Sequence, residues 1–150
     1  MEYIFAERKF FKGWSKNFPL IFVKNIPRMI MNRFTNFPLV IKDWNLSNPN
    51  SHLLGGMSYQ SGKLVVPHSG RYYIYAQIFF QLHGSPVMIH VNNKRIIVIQ
   101  PPSGGRNRVT MYAGGVFNLR ANDVITVLPD GYTTRLYMSP NCSYFGAFLI

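Results

Sequence analysis

The longest apolar stretch of the chain alternates in a way that predicts a strand with two faces to bury. From Arg71 to Gln81, an extended backbone puts Tyr72, Ile74, Ala76, Ile78 and Phe80 on one side and Tyr73, Tyr75, Gln77 and Phe79 on the other. Both sides are apolar or aromatic, whereas a sandwich strand ordinarily shows water its second face. The run Tyr144 to Leu149 repeats the pattern, with Phe145, Ala147 and Leu149 against Tyr144, Gly146 and Phe148. Shorter apolar runs at Leu39 to Lys42, Lys63 to Val66, Val87 to Val91, Arg95 to Ile99, Val109 to Leu119 and Val124 to Leu128 read as further strands. Turn signals such as Ser61-Gly62, Asn92-Asn93, Asn122-Asp123 and Pro129-Asp130-Gly131 separate them. Many short strands at this spacing predict an all-β sandwich or barrel, with no competing helical period.

The second face has a consequence for assembly. Tyr73, Tyr75, Phe79, Tyr112, Tyr144 and Phe148 share it, and at about 150 Å² each they sum to roughly 900 Å². The largest apolar patch of a typical monomer is about 300 to 600 Å². An oligomer packing this sheet against its copies is therefore expected, the competing reading being a loop or helix of the same chain laid over it.

The basic excess is spread along the whole chain, but the residue pattern divides it in two. Residues 1 to 35 hold seven Lys and Arg, two Glu and the aromatics Phe5, Phe10, Phe11, Trp14, Phe18 and Phe22, interrupted by Pro19 and Pro27. This segment reads as a basic-aromatic extension, a stalk remnant or artefact, ahead of a domain covering 36 to 150. Its apolar run Phe18 to Val23 is too short for a leader core or a membrane span. The net charge of +11 over 150 residues favours acidic surfaces, glycosaminoglycans or nucleic acid as encounter partners without singling one out, and no nucleic acid is expected once the chain's family resemblance is considered.

Catalytic chemistry is poorly supplied. Glu2, Glu7, Asp43, Asp123 and Asp130 are the only carboxylates in the chain, so general acid-base pairs are scarce. His52, His68, His83 and His90 match neither a helical histidine pair nor a Cys-His zinc pattern. The single cysteine, Cys142, has no partner for an intrachain disulfide and no motif-level base. The glycine pairs lack the Lys-Ser or Lys-Thr that completes a phosphate loop. No enzyme, cofactor or metal is expected. Asn45-Leu46-Ser47 and Asn141-Cys142-Ser143 fit the glycosylation sequon, whose use requires secretion.

Three segments together carry a family resemblance. Leu64-Val65-Val66-Pro67 with Ser69-Gly70-Arg71-Tyr72-Tyr73-Ile74-Tyr75-Ala76-Gln77, then Tyr112-Ala113-Gly114-Gly115-Val116-Phe117-Asn118-Leu119 with Asn122-Asp123-Val124-Ile125, and finally Ser143-Tyr144-Phe145-Gly146-Ala147-Phe148-Leu149, resemble signatures of the tumour necrosis factor ligand family in their order and spacing. The resemblance covers roughly residues 37 to 150. It implies a ten-stranded jelly-roll sandwich assembling as a homotrimer, with the positions matching Tyr75, Tyr112 and Tyr144 near the threefold axis. Tyr73, Tyr75, Gln77, Phe79, Tyr112, Val116, Tyr144 and Phe148 are then the expected trimer interface.

The same resemblance implies a cytokine, extracellular or at the cell surface, that clusters receptors of the tumour necrosis factor receptor family. A membrane anchor expected of such ligands is not displayed by these residues. Candidate receptor-facing side chains are Trp44, His52, Tyr59, Lys94, Arg95, Tyr132 and Arg135. The segment from Gly84 to Gly105 is short for the family, and complement-type globular heads share the trimeric jelly roll. A collagen-like stalk would favour such a head, and none is present in these residues. A capsid subunit with residues 1 to 35 as a nucleic-acid-binding arm is the remaining alternative, though it gives no reason for the three signatures.

Overall fold

The computed structural model describes residues 20–23, 40–42, 44–49, 51–82, 85–103, 108–130, 135–139 and 141–150. These residues form strands and turns only. The strands are β1 (Leu20–Val23), β2 (Trp44–Asn45), β3 (Ser58–Gln60), β4 (Lys63–Val65), β5 (Gly70–Leu82), β6 (Val87–Val91), β7 (Lys94–Ile99), β8 (Val109–Leu119), β9 (Val124–Pro129), β10 (Arg135–Leu136) and β11 (Tyr144–Leu149). All pairings are antiparallel. One sheet runs β10-β5-β11-β1-β2 with β8 on the free side of β5, and the other runs β3-β4-β9-β6-β7.

The predicted alternation of β5 sets the core. Tyr72, Ile74, Ala76, Ile78 and Phe80 are all fully buried and meet Phe145 and Ala147 of β11. The facing sheet contributes Leu64, Val87, Ile89, Ile97, Ile99, Ile125 and Val127 to the same cluster. The β-branched residues that dominate these positions suit a pleated, packed surface. Tyr72 is the one tyrosine of this inner row, and its hydroxyl donates to the His68 carbonyl at 2.9 Å, so the buried phenol is satisfied.

Two hairpins fix the register of the second sheet. Ser61 and Gly62, between β3 and β4, have φ of 49° and 85°, and Asn92 and Asn93, between β6 and β7, have 49° and 68°. Positive φ at both central residues of a two-residue loop follows the right-handed strand twist, which is why Ser-Gly and Asn-Asn stand there. At Gly62 a second constraint applies: a Cβ would lie 2.6 Å from Val40 Cγ1 and 2.7 Å from the Ile41 carbonyl oxygen.

Three expectations are corrected. The run at Leu39 to Lys42 is no strand over its described residues 40–42; Ile41 is buried and donates one bond to the Val127 carbonyl at 2.8 Å, alongside β9 just past the end of β4. The short strands β2, β3 and β10 carry too few residues to show a period, and no strand was expected at any of them. The third correction concerns the extension: β1 lies inside the segment expected to precede the domain, yet it pairs with β11 through Leu20↔Gly146 to Phe22↔Tyr144 and with β2 through Val23↔Trp44. Four consecutive apolar residues are enough to continue a sheet whose neighbouring strand is already in place, so among the described residues the sheet includes Leu20–Val23.

Gly62→Ala is expected to cost about 1–3 kcal/mol from the positive φ, and more through the clash with Val40 and Ile41. Gly55→Ala, at φ 65° with open space around its Cβ, should lose only the backbone term. Thermal unfolding of the two variants checks this; equal losses would contradict the packing account of Gly62.

Candidate functional site: the aromatic outer face

The face of β5 turned away from the core organises a three-by-three array. In register across β8, β5 and β11, the rows are Val116, Tyr73 and Phe148, then Gly114, Tyr75 and Gly146, then Tyr112, Gln77 and Tyr144. Tyr75 sits at the centre with a glycine on either side. The absence of side chains at Gly114 and Gly146 leaves space for rings from the corners to lean inward. The Tyr75 ring centroid lies 6.0 Å from that of Tyr73, 6.4 Å from Tyr112, 6.4 Å from Tyr144 and 6.3 Å from Phe148. Tyr73 and Phe148 are 5.4 Å apart. These separations lie in the range where offset and edge-on ring pairs attract.

Polar groups of the array are tied to one another. The Tyr73 and Tyr112 hydroxyls share a hydrogen bond of 3.1 Å. Tyr144 donates to Gln77 Oε1 at 3.0 Å, and Gln77 Nε2 donates to the Cys142 carbonyl at 3.2 Å. A glutamine between the Tyr112 and Tyr144 corners is thus satisfied at both ends of its amide, which lets it sit on an apolar surface. Below it, the buried Ser143 hydroxyl accepts from the Phe79 backbone N–H at 3.0 Å and donates to the Tyr137 carbonyl at 2.8 Å. This bridge pins the turn before β11 to β5.

The expected interface residues therefore share one face, but unequally. Tyr75 is only 6% exposed because its neighbours roof it, while Tyr112 and Val116 are 53% and 46% exposed. Tyr73, Gln77, Phe79, Tyr144 and Phe148 are half-buried. The patch open to a partner is accordingly smaller than the sum of six free rings, since stacked rings cover each other. Tyr137, absent from the sequence-based set, joins it: its ring lies 5.6 Å from Phe79 and it is exposed. No alternation could have revealed it, because it stands in the irregular stretch after β10.

The candidate receptor-facing residues do not form one patch within the chain. Trp44 is corrected outright. It is 4% exposed and packs 4.5 Å from Phe145, so it belongs to the core and cannot meet a partner. An indole among strands is large enough to be drawn inside by its area alone. His52 is exposed. Tyr59 lies on β3, donating to the Lys42 carbonyl at 2.7 Å and accepting from the Gly62 N–H at 3.0 Å. A shallow cavity of about 500 Å³ borders it, lined by Ser58, Tyr59, Gln60, Ser61, Lys63 and Val65. Lys94 and Arg95 are exposed on β7, the opposite edge of the same sheet. The backbone of Arg135 pairs with Leu82 on β10, and Tyr132 lies outside the described residues.

With the fold and this face established, the comparisons with known proteins show what the chain is similar to. The model of the "TNF(Tumour Necrosis Factor) family" matches residues 42–95. Lymphotoxin-alpha of Oryctolagus cuniculus is 29% identical over 129 residues, an alignment covering 71% of this chain and 64% of that protein. Lymphotoxin-alpha of Homo sapiens is 26% identical over 132 residues, covering 71% and 62%. This chain is similar to the tumour necrosis factor family over residues 42–95 and to lymphotoxin-alpha over most of its length. It spans less than two thirds of the length of these curated relatives. Murine APRIL has the same fold, with a TM-score of 0.67 at 19% identity over 90% of this chain and 100% of that one. Eiger TNF from S. frugiperda matches with a TM-score of 0.64 at 15% identity over 90% and 94%. The sandwich is thus a jelly roll of the tumour necrosis factor type, as the three sequence signatures implied.

One buried polar group bears on pH. His90, on β6 opposite Arg95, is partly buried with Nε2 unpartnered among the described residues. Burial, and after it the Arg95 charge, hold the imidazole below its ordinary range, with Asp130 opposing. The unfolded chain then takes up a proton that the folded chain refuses, so stability present at neutral pH falls as pH drops through the ordinary imidazole range and levels off below the depressed folded value. His90→Gln should flatten this part of the profile between about pH 7 and about pH 5. Denaturant unfolding at several pH values tests it, and an unchanged slope would remove His90 from the account.

The glycine hollow is equally testable. A Cβ on Gly114 would meet Tyr73 Oη at 2.5 Å and Tyr73 Cζ at 2.8 Å. Gly114→Val should therefore displace the Tyr73 ring and weaken the near-ultraviolet circular dichroism of the tyrosines while the strand content persists. An unaltered aromatic spectrum would contradict the array.

Proposed function

We propose that this domain acts as a homotrimeric cytokine ligand outside the cell, binding and clustering receptors of the tumour necrosis factor receptor family. The observation that carries the reading is the outer face of β5, β8 and β11, where aromatic rings and Val116 remain open at a place with no cover among the described residues. A threefold arrangement buries this face of each protomer against two copies. The hydroxyls of Tyr73 and Tyr112, already bonded to each other, enter such an interface without loss of partners.

Edge geometry supports the receptor part. β3 and β7 are opposite edges of one sheet, and a cyclic trimer repeats a head-to-tail contact in which one side of a protomer meets the other side of its neighbour. A groove between neighbours is then lined by His52 and Tyr59 from one protomer and by the β7 side of the next. Receptors seated in three such grooves are brought together by geometry alone, which raises the effective concentration of their intracellular parts. Recognition, with no bond made or broken, is the whole of the chemistry.

Tyr112→Asp tests the proposal, because this exposed ring is replaceable without disturbing the core while a carboxylate at a buried interface is costly. Surface-captured ectodomains of tumour necrosis factor receptor family members serve as probes. The wild-type full chain should dissociate slowly from at least one of them, and the folded Tyr112→Asp chain roughly 10²-fold faster as avidity is lost. Capture by none of the ectodomains, or equal dissociation of the two chains, would overturn it.

A further inference from the structure

One end of the sandwich gathers cations that meet no side-chain carboxylate among the described residues, although Arg95 also donates to Met88 Sδ at 3.9 Å. Val66 donates to the Asp123 carbonyl, Ala121 to Ser69 Oγ and Asn92 to the Val124 carbonyl, so the loops before β5, between β8 and β9, and between β6 and β7 all meet there. Lys94 and Arg95 open β7, Arg120 follows β8, and Arg71 lies on β5 beside Asn118; all four are exposed. The Asp123 carboxylate bonds both Asn92 and the Arg120 N–H, which brings the turn ahead of Lys94 and Arg95 beside the turn that holds Arg120.

The corner's acid is spent internally. Asp123 is the only side-chain carboxylate among the described residues at this end, since Asp130 follows β9 at the other. Its Oδ1 accepts from Asn92 Nδ2 at 2.6 Å and its Oδ2 accepts from the Arg120 N–H at 2.8 Å. Asn92 Oδ1 in turn accepts from the Val124 N–H at 2.9 Å. The single carboxylate thus clamps the two turns that carry Lys94, Arg95 and Arg120 and pairs with none of those charges. A corner of exposed like charges whose scaffold does not neutralise them raises the local positive potential and attracts anions from solution.

We propose that this corner, built by Lys94, Arg95 and Arg120 with Arg71 at its margin, is a binding site for a sulfated polysaccharide chain. Single-stranded nucleic acid calls for exposed rings on which bases stack; Tyr72 is 1% exposed and Phe117 packs against the core. Anionic lipid lies mainly in the cytoplasmic leaflet, on the far side of the membrane from a secreted or membrane-anchored ligand of this family. The proposal rests on that extracellular placement and is independent of trimer formation. A linear polyanion crossing from the β7 side to the β8 side meets each cation in turn, and its binding is salt-dependent because counterions are released, as for any polyanion.

The test elutes the full chain from immobilised heparin with a sodium chloride gradient. Lys94→Glu/Arg95→Glu and Arg120→Glu are compared with Lys42→Glu/Lys63→Glu, which makes the same double charge change with Lys63 on β4, three strands from β7. The Lys94/Arg95 variant should elute at clearly lower salt, with at least twice the shift of the Lys42/Lys63 control, and Arg120→Glu should shift more per charge than that control. Their solution mass should equal that of the wild type. Equal shifts per charge would reduce the effect to net charge and overturn the site. Stronger retention on phosphatidylserine vesicles or single-stranded DNA than on heparin at matched salt would overturn the sulfated ligand. Heparin binding by folded Tyr112→Asp monomers that still depends on Lys94 and Arg95 would leave this site standing even if the trimer reading fails.

Discussion

A strand with two faces to bury is the constraint on which the rest depends. β5 is the longest strand, pairs with β8, β10 and β11, and spends its inner row on the core while its outer row is aromatic. A lone sandwich satisfies only the inner row. The outer row is partly satisfied within the chain, as four rings and a glutamine close around Tyr75, and the remainder is the face proposed to pack against copies. Glycines on both sides of Tyr75 make this compromise available: they let rings lean over the strand, flattening a surface that would otherwise bristle.

The inner row and the outer row were legible in the sequence for the same reason. Period-two alternation over eleven residues leaves little freedom in which side chains share a face, and the two-residue turns Ser61-Gly62 and Asn92-Asn93 announce themselves by residues that tolerate positive φ. Elements without periodicity were not legible. β2 and β10 are two residues each, and β1 hides in a segment whose charge drew attention away from four apolar positions. Trp44 was misread because a loop residue between polar neighbours gives no sign that Phe145 lies beneath it. The mutual roofing of Tyr75 is likewise a three-dimensional fact, invisible to a sum over individual rings.

Acid scarcity shapes the other surfaces. With five carboxylates against sixteen Lys and Arg, most cations have no acid to meet, and the few acids present take structural posts, as Asp123 does between two turns. The aromatic face and the basic corner thereby occupy different parts of the sandwich and, on the two proposals, call for different partners: copies of the chain for one, a charged chain for the other. Receptor grooves, on the proposed arrangement, fall between them along the sheet edges.

The measurement that tests the central claim most directly is the solution mass of the full chain by light scattering across a dilution series. The account predicts a particle of three times 17.3 kDa that persists on dilution, because an apolar interface of this kind has no stable exposed form. A folded monomer of 17.3 kDa at every concentration would contradict it, showing that the outer face of β5 is content in water or covered by the chain's own residues.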